Sequence, residues 1–293
     1  MAVKLVCPVC KKILFLDGTQ YTCHQCRTWY PIIDGIPVFI DTNKFIVEER
    51  QYRHKDAQTV KGNTGTQEYS VQLNSYIRSL PAEILLRKGC RDGRGLDIGV
   101  GTGRYENFEH VYTTVSTDVT GVDVSLSAVK TLMKDFPDTT CILASELPFE
   151  NESFDFITVS GVIHHVIGYS RETLLSSFRE WYRVLKPGGI FISNDPNLLF
   201  PVSLAMHIPN RVIQRCKPGA RRRVPYERPI LFTEVKNMSR KVGFKNMECE
   251  ASSFIHWTMP RKVREIIMSK ERRIRHRSPF KYFGAWICIY AEK

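Results

Sequence analysis

Four cysteines and one glycine run carry the chemistry that can be read from this sequence. Cys7-Pro8-Val9-Cys10 and Cys23-His24-Gln25-Cys26 are two C-x2-C pairs separated by twelve residues. Two such knuckles on a short hairpin present four thiolates tetrahedrally, which is the ligand set of a zinc ion. Asp17-Gly18 between them is a turn dipeptide suited to the hairpin tip. Four thiolates leave no open coordination position, and a segment of about 35 residues builds too small a core to fold alone. The Zn2+ is therefore expected to be structural and to supply folding free energy. Disulfides are the competing chemistry, but Cys90, Cys141, Cys216, Cys249 and Cys288 stand singly, in the manner of reduced thiols.

The glycine run is Leu96-Asp97-Ile98-Gly99-Val100-Gly101-Thr102-Gly103, answered downstream by Val122-Asp123-Val124. It reads as a strand, a glycine turn and a second strand ending in an acid. Glycines lack the Cβ that keeps backbone N–H groups from a nucleotide-like ligand, and a strand-end carboxylate can grip ribose hydroxyls. A dinucleotide site usually spaces its glycines G-x-G-x-x-G to place pyrophosphate on a helix N-terminus. Here the spacing is even and an acid, Asp97, precedes it. That acid repels phosphate and suits a cationic ligand such as a sulfonium with an amino group.

With Asp97 to Gly103 and Asp123, the segments Leu147-Pro148-Phe149, Ser153-Phe154-Asp155 and Val184-Leu185-Lys186-Pro187-Gly188-Gly189 stand in a particular order and spacing. Over roughly residues 90 to 200 the chain thereby resembles the class I S-adenosylmethionine-dependent methyltransferases of the type 11 group. The resemblance implies an α/β, Rossmann-like fold, with a mostly parallel seven-stranded sheet covered by helices on both faces, and S-adenosyl-L-methionine as cofactor. It implies that Asp97, Gly99, Gly101 and Gly103 border the methionine moiety, Asp123 the ribose hydroxyls and Val124 the adenine. Ser145, Glu146, Leu147 and Ser160 complete the implied site. Similar enzymes often carry an aspartate four residues before Leu147; this chain has Leu143 there, so the adenine amino contact falls to backbone, Ser145 or Glu146. The cysteine pairs and the following Tyr30-Pro31-Ile32-Ile33-Asp34-Gly35-Ile36-Pro37-Val38-Phe39 resemble the Trm112-like zinc ribbon, over residues 1 to 41. That family is known both as a separate activator of methyltransferases and as a fused module. The likeness implies a ribbon that packs on or orients the catalytic domain and that can mediate a protein contact.

The elements that must position these residues follow from periodicity. Gly95 to Ile98, Val119 to Val124, Thr140 to Leu143, Phe154 to Ser160 and Gly189 to Ser193 are short β-rich runs, and Ser125 to Phe136 and Arg171 to Val184 have helical apolar spacing. Alternation of this kind gives a parallel sheet with helices on both faces. Gly243 to Glu250 and Ala285 to Ala291 read as the last two strands, an antiparallel edge. Residues 42–89 read as a linker and a cofactor-covering helix, with a break at Lys61-Gly62-Asn63-Thr64-Gly65 and helical spacing at Tyr69, Leu73, Tyr76, Ile77 and Leu80. Residues 90–293 then form the methyltransferase domain, with 197–230 as an acceptor-side insertion.

Ser160-Gly161-Val162-Ile163-His164-His165-Val166 follows the fourth strand, and Asp195 ends the fifth. Methyl transfer from a sulfonium is an in-line displacement in which alignment does most of the work, and a base is needed only when the acceptor loses a proton. His164, His165 and Asp195 are the candidate catalytic residues; pocket shaping, helix capping and packing are the competing roles for the histidines. The chain lacks the Asp/Asn-Pro-Pro-Tyr/Phe sequence of exocyclic-amine base methylation at this strand, and it lacks the attacking cysteine of cytosine C5 methylation.

The net charge of +12 is uneven. Pro201 to Lys293 holds 21 Lys and Arg against 7 Asp and Glu, whereas residues 1–200 hold 21 against 23. A basic last third on a neutral body points to an anionic acceptor, RNA or a membrane surface, against a merely solvated face. Leu198 to Met206 with Arg211, Arg215, Lys217 and Arg221-Arg222-Arg223 fits a greasy pocket or a membrane surface. Arg261 to Arg277 fits an RNA backbone, with Trp257 and Phe280 for stacking. No apolar run spans a membrane and no secretory core follows Met1, so a cytoplasmic protein, peripheral to a membrane at most, is expected. The leading reading is methylation of a small-molecule, lipid or glycan-type acceptor. RNA methylation, favoured by the fused ribbon and the basic tail, and a non-catalytic adaptor are the alternatives.

Overall fold

The structure, a computed structural model, describes residues 4–40, 73–101, 107–134, 136, 139–142, 146–205, 228–255 and 259–293. The expectations placed on Lys61 to Gly65, Tyr69, Gly103, Leu143, Ser145, Arg211 to Arg223 and Trp257 lie outside these residues.

The N-terminal segment forms β1 (Phe15–Asp17), β2 (Gln20–Cys23), β3 (Thr28–Ile33) and β4 (Ile36–Phe39). Gly18, at φ +57°, makes the expected turn after Asp17, a backbone conformation that costs glycine little. The following strands are β5 (Gly95–Ile98), β6 (Val119–Asp123), β7 (Thr139–Ile142), β8 (Phe154–Ser160), β9 (Leu185–Pro196), β10 (Lys245–Ser253) and β11 (Trp286–Glu292). Their order in the sheet is β7-β6-β5-β8-β9-β11-β10, with β7 through β9 parallel and β11 antiparallel to both neighbours. These are the seven expected strands. The N-terminal antiparallel strands β1 to β4, a β-ribbon, add four more, because β4 pairs in parallel with β7 through Val38–Cys141 and Phe39–Ile142. The ribbon therefore extends the sheet edge.

The helices are α1 (Leu80–Arg87), α2 (Asn107–Thr114), α3 (Leu126–Leu132), α4 (Ile163–Tyr169), α5 (Arg171–Val184), α6 (Phe232–Val242) and α7 (Arg261–Glu271). Residues 73–78 are also helical, and β10 and β11 are the expected last two strands. α5 begins at Ser170, whose hydroxyl accepts from Thr173 N at 2.9 Å, and it buries Leu174, Phe178, Trp181 and Val184. That is a serine cap followed by a 3.6-residue apolar stripe.

Successive strand residues feed opposite layers. Phe191 and Ile289 join Phe178 and Trp181 of α5, whereas Ile190, Ile192 and Tyr290 join Leu80 and Ile84 of α1 and Phe108 of α2. The ribbon shares the first of these cores: Cys7, Leu14 and Cys23 pack in one cluster with Phe39, Leu147 and Phe149. No helix among the described residues is long and apolar enough to cross a membrane.

β9 is longer than the run Gly189 to Ser193 suggests. Leu185 pairs with Phe154 and Ile190 with Phe156, so Lys186 to Gly189 form an irregularity inside the strand. A Cβ at Gly189 would lie 2.9 Å from Asp155 O, which is why glycine stands there.

Candidate active site

The strand order reverses between β5 and β8, the place where an open parallel sheet leaves a crevice at its carboxyl ends. The glycine turn lies at that crevice. Gly99 has φ +77° and Gly101 φ +57°, and Gly99 N and Val100 N both donate to Val122 O. Asp123, 8% exposed at the end of β6, accepts from Gly101 N at 2.9 Å through Oδ2, and from Val124 N and Ser125 N at 2.8 and 2.9 Å through Oδ1. One carboxylate thus ties the turn to the next strand.

Asp97 is buried beneath the turn. Its Oδ1 accepts from Thr158 Oγ1 at 2.6 Å and from Asn107 Nδ2 at 2.9 Å. Two carboxylates beside a bare backbone turn suit a cationic ligand carrying ribose hydroxyls, the donor and acceptor set of S-adenosylmethionine. Val124 is half-buried against Ile36, Val38 and Val129, which carries the ribbon's β4 up to the far wall of the crevice.

Leu147 is buried, while Glu146 is exposed. The Leu147 carbonyl accepts from Arg183 Nη2 at 3.2 Å and from Lys11 Nζ at 3.5 Å, and Lys11 also pairs with Glu180 at 2.8 Å. Val6 N donates to Pro148 O at 2.8 Å. The ribbon is therefore bonded directly to the Leu147-Pro148-Phe149 segment.

On the other side of the crevice, Gly161 N donates to Asn194 O at 2.8 Å and draws the ends of β8 and β9 together. α4 starts here. Asp195 Oδ1 accepts from the His164 backbone N at 3.1 Å and lies 2.8 Å from its Nδ1; opposite an ionised carboxylate Nδ1 is the donor, which leaves Nε2 as the acceptor of the ring. Asp195 is fully buried, and its Oδ2 has no hydrogen-bond partner among the described residues. Burial pushes the Asp195 carboxyl up, against the pull of its two bonds from His164 and the charge of Arg78. The ring of His165 lies 4.0 Å from that of His164.

Arg78 is the residue that sequence reading passed over. Its Nη1 donates to Ser160 Oγ at 3.5 Å, its guanidinium lies 5.5 Å from the centre of the Trp286 ring, and a Cβ on Gly161 would sit 3.3 Å from its Nη2. Asn194 is the second: its Nδ2 donates to Ile77 O at 3.1 Å and holds the 73–78 helix over the strand ends. The helical spacing from Glu68 to Leu80 located that helix, but spacing alone does not say which polar side chain faces a site. Tyr76 packs with Leu73, Ile77, Ile255 and Trp286, the packing role that its spacing favoured.

At the ribbon, the four sulfurs of Cys7, Cys10, Cys23 and Cys26 all lie within 4.8 Å of one another, with Cys7–Cys26 at 4.0 Å and Cys10–Cys23 at 3.5 Å. A tetrahedral site with metal–sulfur bonds of about 2.3 Å has sulfur–sulfur edges of about 3.8 Å, so the cluster fits zinc.

Residues 96–193 match a family described as a methyltransferase domain. An uncharacterised protein of Methanocaldococcus jannaschii is 33% identical over 107 residues, which is 36% of this chain and 46% of that protein. A ubiquinone/menaquinone biosynthesis C-methyltransferase of Geotalea daltonii is 32% identical over 110 residues, 35% of this chain and 45% of that enzyme. The chain spans under half the length of either relative. Among solved structures, an S-adenosylmethionine-dependent methyltransferase of Thermotoga maritima superposes with a TM-score of 0.53 at 22% identity, covering 79% of this chain and 95% of that one. The chain thus carries, over residues 96–193, a segment similar to a methyltransferase domain, and it shares with that solved structure a Rossmann-like α/β fold with a mostly parallel sheet.

Proposed function

We propose that the chain transfers a methyl group from S-adenosylmethionine to a small-molecule or lipid acceptor at an atom that gives up a proton. The observation that carries this reading is the 2.8 Å bond between His164 Nδ1 and Asp195 Oδ1 at the carboxyl ends of β8 and β9. Bound S-adenosylmethionine supplies a methyl group on a cationic sulfur, open to in-line displacement. Asp123 would accept from its ribose hydroxyls, Val124 would meet its adenine, and Asp97 with Gly99 and Gly101 would border its methionine end. The resemblance adds Leu147, Glu146 and Ser160 to the same proposed site. Asp195 fixes the His164 ring, and Nε2 takes the proton of the acceptor as the new bond forms. His165 shapes the pocket beside it. A neutral acceptor nitrogen with a lone pair needs no such base, whereas an enolic or phenolic acceptor does. The relatives named as quinone C-methyltransferases support an acceptor of the second kind.

The same reading takes the four-cysteine cluster as a structural zinc site in a Trm112-like ribbon that braces the Leu147 segment. RNA remains the second acceptor class, supported by the 21 Lys and Arg against 7 acids after residue 200.

The test has two arms. Calorimetric titration with S-adenosylmethionine should give saturable binding that Asp123→Ala removes; no binding in the unsubstituted chain would sink the assignment. Cell extract treated with labelled methyl donor should then label an organic-soluble product, and His164→Ala should lower that rate about 10²-fold or more while leaving donor affinity intact. Label appearing in RNA would select the second class, and an unchanged rate in His164→Ala would remove the base.

A further inference from the structure

We propose that α7 and the chain that follows it form a docking surface for an anionic lipid bilayer. α7 packs one edge, with Ile267 and Met268, against Leu73, Ile77, Ile255 and Trp286. Glu271 Oε2 accepts from Phe254 N at 2.7 Å, Ala251 N donates to Arg275 O at 3.0 Å, and Arg275 is paired with Glu83. The helix is therefore anchored from beneath along its last turn and presents a fixed outer face.

That face is basic and greasy together. Lys262, Ile266 and Lys270 are spaced by four and so lie on one stripe, with Val263 beside it and Arg261 at its start, all exposed. Val263 and Ile266 are 43% and 58% exposed, and Phe280 and Phe283, further along, are 46% and 43% exposed. Arg272, Arg273 and Arg277 stand exposed between the two apolar pairs. Residues 259–283 contain nine Lys and Arg against two acids. Of those acids Glu271 is buried, and Glu265 is paired with Arg261 at 2.8 Å.

Charge alone fits a polyphosphate as well as a headgroup layer. The aliphatic side chains decide between them. Phosphate contacts gain nothing from exposed Val and Ile, and nucleobases stack on aromatic or guanidinium planes. An interfacial helix needs what is found here: apolar side chains that enter the acyl boundary, framed by Lys and Arg at the level of the anionic headgroups.

The test is flotation of the chain of residues 1–293, purified with zinc present, with phosphatidylcholine vesicles, with and without phosphatidylglycerol, at low and physiological salt. It uses no methyl donor, so its outcome is independent of the proposed reaction. Binding is expected only with phosphatidylglycerol. The double substitution Val263→Glu and Ile266→Glu should weaken it at least about tenfold, and Arg273→Gln about fivefold. All three positions are exposed, so the variants should unfold at the temperature of the unsubstituted chain, which separates lost docking from lost folding. Absence of flotation with phosphatidylglycerol vesicles at low salt overturns the proposal. So does binding that responds to Arg273→Gln but not to the aliphatic substitutions, particularly if a single-stranded oligoribonucleotide displaces the vesicles.

Discussion

Gly99 and Val162 face one another across the crevice, and the structure sets the size of their coupling. Substituting Gly99→Ala has two separable costs. The residue sits at φ +77°, where an L side chain costs about 1–2 kcal/mol. The new Cβ would also lie 2.1 Å from Val162 Cγ2, about 1.5 Å inside an ordinary carbon contact. Val162 is β-branched and stiff at χ1, so the clash is relieved by moving the start of α4, an overpacking cost of about 1–3 kcal/mol. Gly99→Ala should therefore destabilise by about 2–5 kcal/mol in urea unfolding. In Val162→Ala the nearest remaining atom of that side chain is Cβ, at 3.6 Å, an ordinary contact. The double variant should keep the backbone cost and lose the steric one, giving a favourable coupling of about 1–3 kcal/mol in a double-mutant cycle. It should also recover part of the donor affinity lost in Gly99→Ala. Additivity of the two single costs to within about 0.5 kcal/mol would refute the argument, because it would mean that the turn relaxes without reference to α4.

Four further outcomes are expected. Asp195→Asn should lower kcat more than about tenfold with donor affinity unchanged, since it removes the carboxylate that orients His164; equal kcat would reduce Asp195 to packing. In the unsubstituted chain, burial raises the Asp195 value, so the acid limb of the rate profile should lie above the range of an ordinary carboxylate and change form in Asp195→Asn. Chelation of the proposed zinc, or Cys23→Ser, should lower the unfolding temperature and weaken donor binding, because Lys11 and β4 lose their fixed positions beside Leu147 and β7; a chelator-treated chain with an unaltered unfolding curve and affinity would dissociate the N-terminal strands from the site. Burial pushes the carboxyl of Glu180 up, but its bonds to Arg183 and Lys11 outweigh this and hold it below the usual range. Its stabilising contribution is full above the unfolded value of about 4.3 and is lost as pH falls through the lower folded value, so Glu180→Gln should cost about 1–3 kcal/mol at neutral pH and flatten that acid slope in urea midpoints.

Local pattern made some of this molecule legible and left other parts hidden, for reasons visible in particular residues. α5 was legible because Leu174, Phe178, Trp181 and Val184 repeat at helical spacing within fifteen residues, and the structure adds the Ser170 cap at its start. β5 and β8 were legible because Leu96 and Ile98, and Phe154, Phe156, Ile157 and Val159, make short apolar runs rich in aromatic and branched side chains. The pairing of β4 with β7 was not legible, since it joins Val38 to Cys141 and nothing local to either strand names the other. His164 and Asp195 were both singled out, but as rival bases; their bond depends on β8 and β9 being neighbours, a fact of topology. Arg78, Asn194 and Thr158 were missed because a lone polar residue in an apolar pattern acquires its role only from what the fold brings opposite it.

The reversal of strand order between β5 and β8 makes one seam serve both halves of the proposed reaction. Three contacts cross or close it: Asp97 to Thr158 beneath the turn, Gly99 against Val162 at its rim, and Gly161 N to Asn194 O beside it. The glycine turn and the helix that carries His164 are consequently set against each other by a buried 2.6 Å hydrogen bond and a contact with no room for a methyl group. In-line displacement tolerates little misplacement of donor against acceptor, and about an ångström can cost 10²-fold in rate. The ribbon acts at the far end of the same arrangement, through Lys11 on the Leu147 carbonyl and β4 on β7. Changes in the ribbon should therefore act first on donor binding, and changes at Val162 on donor binding and turnover together. Changes at Asp195 should act on turnover alone. That ordering follows from which side of the seam each residue lies on.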